Sequence, residues 1–402
     1  MQQPVIQTHT THHPDILGSG QANLIPPESH LFWMPPTNDK IHHTNKAVAD
    51  ENNLELYGDV RFVVSTYKYA IPIVAGILII PTAGFMYVMC KQMRTATTMN
   101  RASCSLMVAI AVADILCIAV SIPEFGYMYS VSRTNHGYLP LSSCSTMSVL
   151  ERLSAIPHTA SIWLTVALSV QRYLCVAKPF IAKSHFTTAK SAIIITFAYT
   201  LAIIMHVCRF FDVHFVAIGL RINSFSNLSE IVETCQIQYA SWIQQPVLYE
   251  ALFSWCRFSF VQLIPCALLI VFTLGLTRAL SVSNKSLKAM KIVDSNREKQ
   301  RRSLSIVVLL TAGIVCAVES SMGIILCLNS IRISTGINFV SYETVKMALV
   351  GIDIVVYFSY FFIFSIYCLM SHGIRDKVRN MVCNIIGKCT NRNTSPLSRQ
   401  RL

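Results

Sequence analysis

The sequence predicts an all-α membrane protein: a bundle of seven transmembrane helices, amino terminus outside the cell, with a short amphipathic helix after the last crossing. Three observations lead there. Seven long apolar runs interrupt the chain, each near the roughly 20 residues a helix needs to cross a hydrocarbon core about 30 Å thick. Of the 402 residues 53% are hydrophobic and 13% charged, with a mean hydropathy of +0.48, too apolar for an ordinary soluble domain. Roughly two thirds of the 33 Lys and Arg residues fall in or beside alternate gaps between the runs and in the tail after Met370, the charge asymmetry of cytosolic loops. That placement also sets aside nucleic-acid binding as the meaning of a net charge of +13, since the cations lie beside apolar runs and form no phosphate-binding face.

Residues 1–66 are polar, rich in His, Thr, Asn and Pro, and contain no cysteine, so they are expected to form a disordered extracellular tail. Met1 to Thr10 hold no basic cluster followed by an apolar core, and no cleavable signal peptide is expected. The bundle is expected over residues 67–370. Its first run, Ala70 to Cys90, has no charged residue; after the basic Lys91, Arg94 and Arg101 comes the second, Ala102 to Tyr129, apolar apart from Asp114 and Glu124. The third spans Thr146 to Val176, the fourth Ala192 to Phe211, and a long polar loop precedes the fifth, Tyr249 to Leu280. A basic stretch from Lys285 to Arg302 leads into the sixth, Leu304 to Ile331, and the seventh is Val345 to Met370. Residues 371–402 are expected to be cytosolic. There Ile374, Val378, Met381 and Val382 alternate with Arg375, Lys377 and Arg379, the spacing of a helix lying on the inner leaflet. Cys383 and Cys389 beside it are palmitoylation candidates.

Most of the 14 cysteines sit inside apolar runs, where a thiol is a small buried hydrophobe. Cys144, at the outer start of the third span, and Cys235, in the long loop, fall on the oxidising side, so a disulfide between them is chemically permitted. Asn227-Leu228-Ser229 in the same loop is a glycosylation acceptor if that loop is extracellular, whereas Asn393-Thr394-Ser395 should stay bare.

Seven crossings do not define a function, so motifs must. The segment Gln171-Arg172-Tyr173-Leu174-Cys175-Val176-Ala177-Lys178-Pro179-Phe180, where the third span reaches the cytosol, resembles the Asp-Arg-Tyr region of rhodopsin-like (class A) G-protein-coupled receptors. Ala111-Val112-Ala113-Asp114, Pro123, Ser161 and Pro265 stand at matching places in other spans. Over longer stretches, His158 to Leu168, Arg209 to Asp212, Gln262 to Cys266, Ser359-Tyr360 and Ile366 to Cys368, the chain resembles the invertebrate sex-peptide (myoinhibitory-peptide) receptors and their myosuppressin and FMRFamide-related relatives. The likeness runs from about Ser65 to Cys383. It implies a multi-pass plasma-membrane receptor for an extracellular neuropeptide with an amidated end, coupled to a heterotrimeric G protein through Arg172, Tyr173, Pro179 and Phe180. A guanidinium there is always charged and can snorkel or bond into a partner's tail.

Departures from that pattern matter as much. Gln171 stands where the family has an acid, so no acidic lock on Arg172 can form. Pro81 lies near the usual first-span Asn, Glu319 replaces the sixth-span Trp and Ser321 its proline, and Tyr360-Phe361 and Phe364 replace the Asn-Pro and Tyr of the seventh. Without those prolines the last two spans lose an obvious kink, and weak or constitutive signalling becomes an expectation to test. Asp114 is an ionisable residue within a span, by default a functional candidate. In the family its counterpart holds a sodium ion with the residue matching Ser161, but the assisting Asn is here Tyr360, which leaves that set incomplete. No other metal and no cofactor is expected. By the resemblance His158, Arg257, Glu319 and Asp353 face the bundle interior. Glu319 is expected to pair with His158 or Arg257 at the floor of a ligand cavity, because unpaired buried charges are expensive. Above it Glu124, Tyr127, Glu151, Asp212 and Glu233 would give the mouth an acidic and aromatic lining, suited to a peptide with a basic or aromatic end.

Three other classes compete with this reading. A divergent chemosensory receptor of the same fold would also fit the lost Trp and prolines. An ion-conducting or transport protein could use Asp114, Glu319 and Asp353 along a path, yet the sequence shows neither inverted repeats nor paired broken helices. An enzyme finds no support: the chain lacks His-Glu-x-x-His, Gly-x-Ser-x-Gly and any Gly-rich phosphate loop, so no catalytic residue is expected.

Overall fold

Apolar segments of this length satisfy their backbone polar groups within a bilayer by coiling into helices. The computed structural model describes residues 69, 71–95, 98–131, 141–223, 229–289, 296–336 and scattered positions between 344 and 362, some by backbone alone. In chain order they form α1 (Ile71–Thr95), α2 (Thr98–Val131), α3 (Leu141–Ala177), a short α4 (Pro179–His185) and α5 (Thr188–Val207), which closes in a 3₁₀ turn at Cys208–Phe210. Strands β1 (Val213–Asn223) and β2 (Ser229–Tyr239) follow, then α6 (Pro246–Arg257), a π-helical turn (Phe258–Leu263), α7 (Ile264–Ala289) and α8 (Asn296–Thr335). With α6, the π turn and α7 making one crossing, six helical spans long and apolar enough to cross a membrane are described. The expected seventh lies mostly outside the described residues; its described positions, Val356 and Ser359 among them, are helical.

Large apolar side chains point outward in stripes at helical spacing, such as Ile73, Ile77 and Ile80 on α1, Ile193 and Phe197 on α5, and Val271 and Leu274 on α7. Water would not tolerate so much apolar surface; lipid covers it at no cost. The core is drawn from the opposite faces: Phe85, Val88 and Met89 of α1, Leu106 and Met107 of α2, Leu164 and Leu168 of α3, Ala198 of α5, and Val307 and Val308 of α8. Three hydrogen bonds fix helices against one another within it. The Tyr199 hydroxyl donates to the Ala109 carbonyl at 3.2 Å, Thr159 meets His206 at 2.8 Å, and Ser254 meets Ser330 at 2.6 Å.

Helix irregularities have residue-level causes. Pro265, at the second position of α7, has no N–H to give to the carbonyl four residues back, and the wide π turn immediately before it takes up the mismatch. Pro157 lies within α3, which stays helical through it, one residue before His158. By contrast α8 runs unbroken through 40 residues with no internal proline, so the expected loss of a kink at Ser321 coincides with a continuous helix.

The all-helical expectation needs one amendment. What reads as a polar loop between the fourth and fifth spans is an antiparallel hairpin, β1 paired with β2 from Val213↔Tyr239 to Asn223↔Ser229. Alternating Ile and Val in Val213–Asn223 and Ser229–Tyr239 give the two-residue period that strands need. Both strands pack against α3, so the hairpin lies across one end of the bundle, opposite the end that carries Arg172. Core packing of this density makes a simple prediction. Leu168→Ala, at a position 1% exposed, should cost about 2–5 kcal/mol, read as a lower melting temperature of the purified protein, whereas Ile77→Ala on the outward stripe should leave it nearly unchanged.

Candidate functional site

Midway through the bundle a cavity of about 50 Å³ is bounded by α1, α2, α3, α8 and the described part of the seventh span, with Asp114, His158, Ser161 and Glu319 in its wall. Asp114 is reached from α3: the Ser161 hydroxyl donates to its Oδ1 at 2.7 Å. Glu319 faces two partners, His158 Nε2 at 3.5 Å and the Gln262 side-chain amide, which donates to Oε2 at 3.2 Å. Gly323, one turn beyond Glu319, leaves room for that approach, since a Cβ there would stand 3.3 Å from Gln262. Carboxylates from α2 and α8 and an imidazole from α3 thus meet in one enclosed volume. Arg257 closes α6 directly before the π turn and is an electrostatic neighbour of His158; the described carboxylate contacts of Glu319 go to His158 and Gln262.

A second cluster lies at the hairpin end, and sequence reasoning missed it. Arg209 Nη1 bonds Asp212 Oδ2 at 2.9 Å and Glu250 Oε1 at 2.6 Å, and its guanidinium lies 4.4 Å from the centre of the Phe253 ring. Arg152 from α3 approaches Asp212 Oδ1 at 3.2 Å and donates to the Arg209 carbonyl. The hydroxyls of Tyr239 and Tyr249 donate to Glu250 at 3.0 Å and Asp212 at 3.3 Å. Two cations, two anions and two phenols thereby clasp α3, the end of α5, the hairpin and α6 together. Asp212 is fully buried, which corrects its expected place in an acidic mouth: its charge is spent inside the protein. The Arg209/Asp212 spacing of three was the signal available, but Arg152 and Glu250 are distant in sequence and only the fold joins them.

At the opposite end Arg172 is buried to 2% exposure on the last turns of α3. Its neighbour Gln171 accepts a hydrogen bond from the Ser103 hydroxyl of α2 at 3.0 Å, a neutral tie where an acid was expected to be missing. The Tyr173 ring packs against Phe272 at 5.9 Å between centres and so close to Gly275 that a Cβ there would fall at 3.0 Å. Pro179 opens α4, and Phe180 beside it is 90% exposed.

Other sequence candidates are placed by backbone only. Glu124 and Tyr127 ride the last turns of α2, and Cys144 and Glu151 the first turns of α3. Cys235 pairs in register with Ala217 on the hairpin. Asn227, Asp353, Tyr360, Phe361, Phe364, Cys383 and Cys389 lie outside the described residues. Among those described, no cluster of three metal-ligating side chains occurs.

Helices crossing a bilayer around a small polar interior, with contrasting ends, suit a receptor that carries a signal across, and comparison with known proteins fixes the class. The chain is a G-protein-coupled receptor. It belongs to the family described as "Serpentine type 7TM GPCR chemoreceptor Srw", matched over residues 67–384. It is also similar to the sex peptide receptor of Drosophila melanogaster, at 24% identity over 340 residues, or 82% of this chain and 75% of that protein. Family membership makes it a multi-pass membrane protein and a receptor rather than an enzyme, with an extracellular ligand and a G protein as its general partners.

The hairpin-end cluster yields a test. Arg209→Ala leaves Asp212 and Glu250 buried beside a single remaining guanidinium, a loss worth about 3–5 kcal/mol, and surface expression should fall severalfold by flow cytometry. Arg209→Lys should recover little, because one ammonium cannot reproduce a fork that spans two carboxylates and lies against an aromatic ring.

Proposed function

We propose that this is a plasma-membrane neuropeptide receptor of the rhodopsin-like (class A) type, with its amino terminus extracellular, a seventh span near residues 345–370 and a lipid-associated cytosolic helix behind it. The ligand is an amidated peptide of myoinhibitory or FMRFamide-like type, received between the helix tops and the hairpin. The observation that carries this reading is the likeness to the sex peptide receptor over most of the chain. Glu124, Tyr127 and Glu151 line the approach, and His158, Arg257 and Glu319 form the floor. The Cys144–Cys235 disulfide tethers the hairpin to α3, Asn227 carries a glycan, and Cys383 and Cys389 are acylated.

Binding moves the floor, and the bundle shifts toward a conformation whose cytosolic ends admit the G protein near Arg172, Tyr173, Pro179 and Phe180. A ligand shifts that equilibrium only by its differential affinity for the two states. The Ser103–Gln171 bond contributes to the resting state, and a neutral hydrogen bond is worth only about 0.5–1.5 kcal/mol.

A second reading has its own support. The family's description names chemoreceptors, so an environmental chemical in place of an internal peptide fits the same bundle. The two part on ligand: a library of amidated invertebrate peptides, applied to cells carrying a G-protein dissociation sensor, should give a saturable response under the first reading and silence under the second. Two variants accompany that screen. Glu319→Gln should raise the half-maximal concentration about tenfold, equivalent to roughly 1.4 kcal/mol, while Arg172→Ala should abolish the response at unchanged surface expression. In the absence of ligand, Ser103→Ala should raise basal nucleotide exchange about two- to tenfold, the range that losing one neutral hydrogen bond allows; unchanged basal exchange would remove the Ser103–Gln171 tie from the resting state.

A further inference from the structure

Two carboxylates face one cavity deep in the bundle, Asp114 from α2 and Glu319 from α8, 6% and 4% exposed. Its volume of about 50 Å³ has room for a few water molecules, or for a small ion with some of its water. The hydroxyls of Thr82, Thr165 and Ser359 in its wall donate to carbonyls of their own helices, and Phe85, Met107, Ile110, Val315 and Val318 supply much of the rest. Charged carboxylates in such a place need a cation close by.

Solvent could supply one, and so could the chain. His158 Nε2 stands 3.5 Å from Glu319 Oε1, and the same imidazole lines the cavity with Asp114. The charged groups that act on His158 are Asp114 on α2, Glu319 on α8 and Arg257 at the end of α6. The other nearby titratable group, His206 of α5, is engaged by Thr159 at 2.8 Å. Two carboxylates, one guanidinium and a protonated imidazole sum to zero. A sodium ion added to that protonated set would leave a net positive charge in a low-dielectric interior. With His158 protonated the set leaves no charge for a sodium ion to neutralise; with a neutral imidazole it would lack one positive charge.

We propose that the imidazolium of His158 is the cavity's own cation, paired with Glu319 and facing Asp114, in the place that a sodium ion drawn from solvent would otherwise fill. The bundle then holds its resting packing without regard to the cation in the medium.

The test uses the full-length receptor in lipid nanodiscs and follows thermal unfolding while sodium chloride replaces choline chloride at constant ionic strength, a readout that needs neither ligand nor G protein. Wild type should melt at the same temperature in both salts. His158→Gln removes the internal cation and should melt several degrees lower in choline, recovering in sodium; adding Asp114→Asn should abolish that recovery. His158→Lys restores a cation and should be indifferent to the salt, which a merely space-filling role for His158 would not predict. Stabilisation of wild type by sodium over choline overturns the proposal, and so does a folded His158→Gln protein that ignores sodium. Should His158→Gln fail to fold in either salt, wild type and His158→Lys decide: indifference in both upholds the internal cation, and a sodium response in either rejects it.

Discussion

The contact between His158 and Glu319 joins α3 to α8 within the bundle, and much of the interior is organised around it. Gln262 completes the carboxylate's coordination from the π turn of the fifth span, Gly323 leaves space for that amide, and Asp114 with Ser161 closes the far wall. Each group would be costly alone in a bilayer; together they hold four spans to one register. Hydrophobic burial does not discriminate among helix rotations in lipid as it does in water, because the surroundings are as apolar as the core. Specific polar contacts and close packing supply the discrimination.

The same logic recurs at the hairpin end with larger charges. Arg209 touches both carboxylates and an aromatic ring, and Arg152 reaches in from a neighbouring helix. The hairpin leaves the membrane end of α5 through this cluster and returns to α6 beside it, so its two roots are held. At the Arg172 end a neutral Ser–Gln hydrogen bond joins α2 to α3, and a tyrosine ring sits against a glycine of α7.

Much of this was legible in the residues. Apolar length marked the six described spans to within a few positions, since it follows from bilayer thickness. Asp114, His158, Ser161 and Glu319 stood out because ionisable or polar residues inside apolar runs are conspicuous, and they line one cavity. The hairpin was missed: β2 carries two glutamates in a stretch read as a polar loop, and the two strands gain their definition from pairing with each other and from α3 beside them. So was the Arg152–Arg209–Asp212–Glu250 cluster, whose members are spread over about a hundred residues and look, singly, like solvated loop charges. Asp212 was assigned to the mouth for that reason and belongs to the interior. Gln262 was hidden by its neutrality, because an amide in a helix announces nothing until a carboxylate is found opposite it.

The continuity of α8 has a mechanical consequence. Forty residues at 1.5 Å each make a rod of roughly 60 Å, about twice the hydrocarbon thickness, and it lacks the proline that would let its halves bend separately. Glu319 lies partway along that rod, so a tilt imposed there acts as on a lever pivoting against α3: displacement at the fulcrum is small, and the arm that extends past the Arg172 end sweeps through a proportionally wider arc.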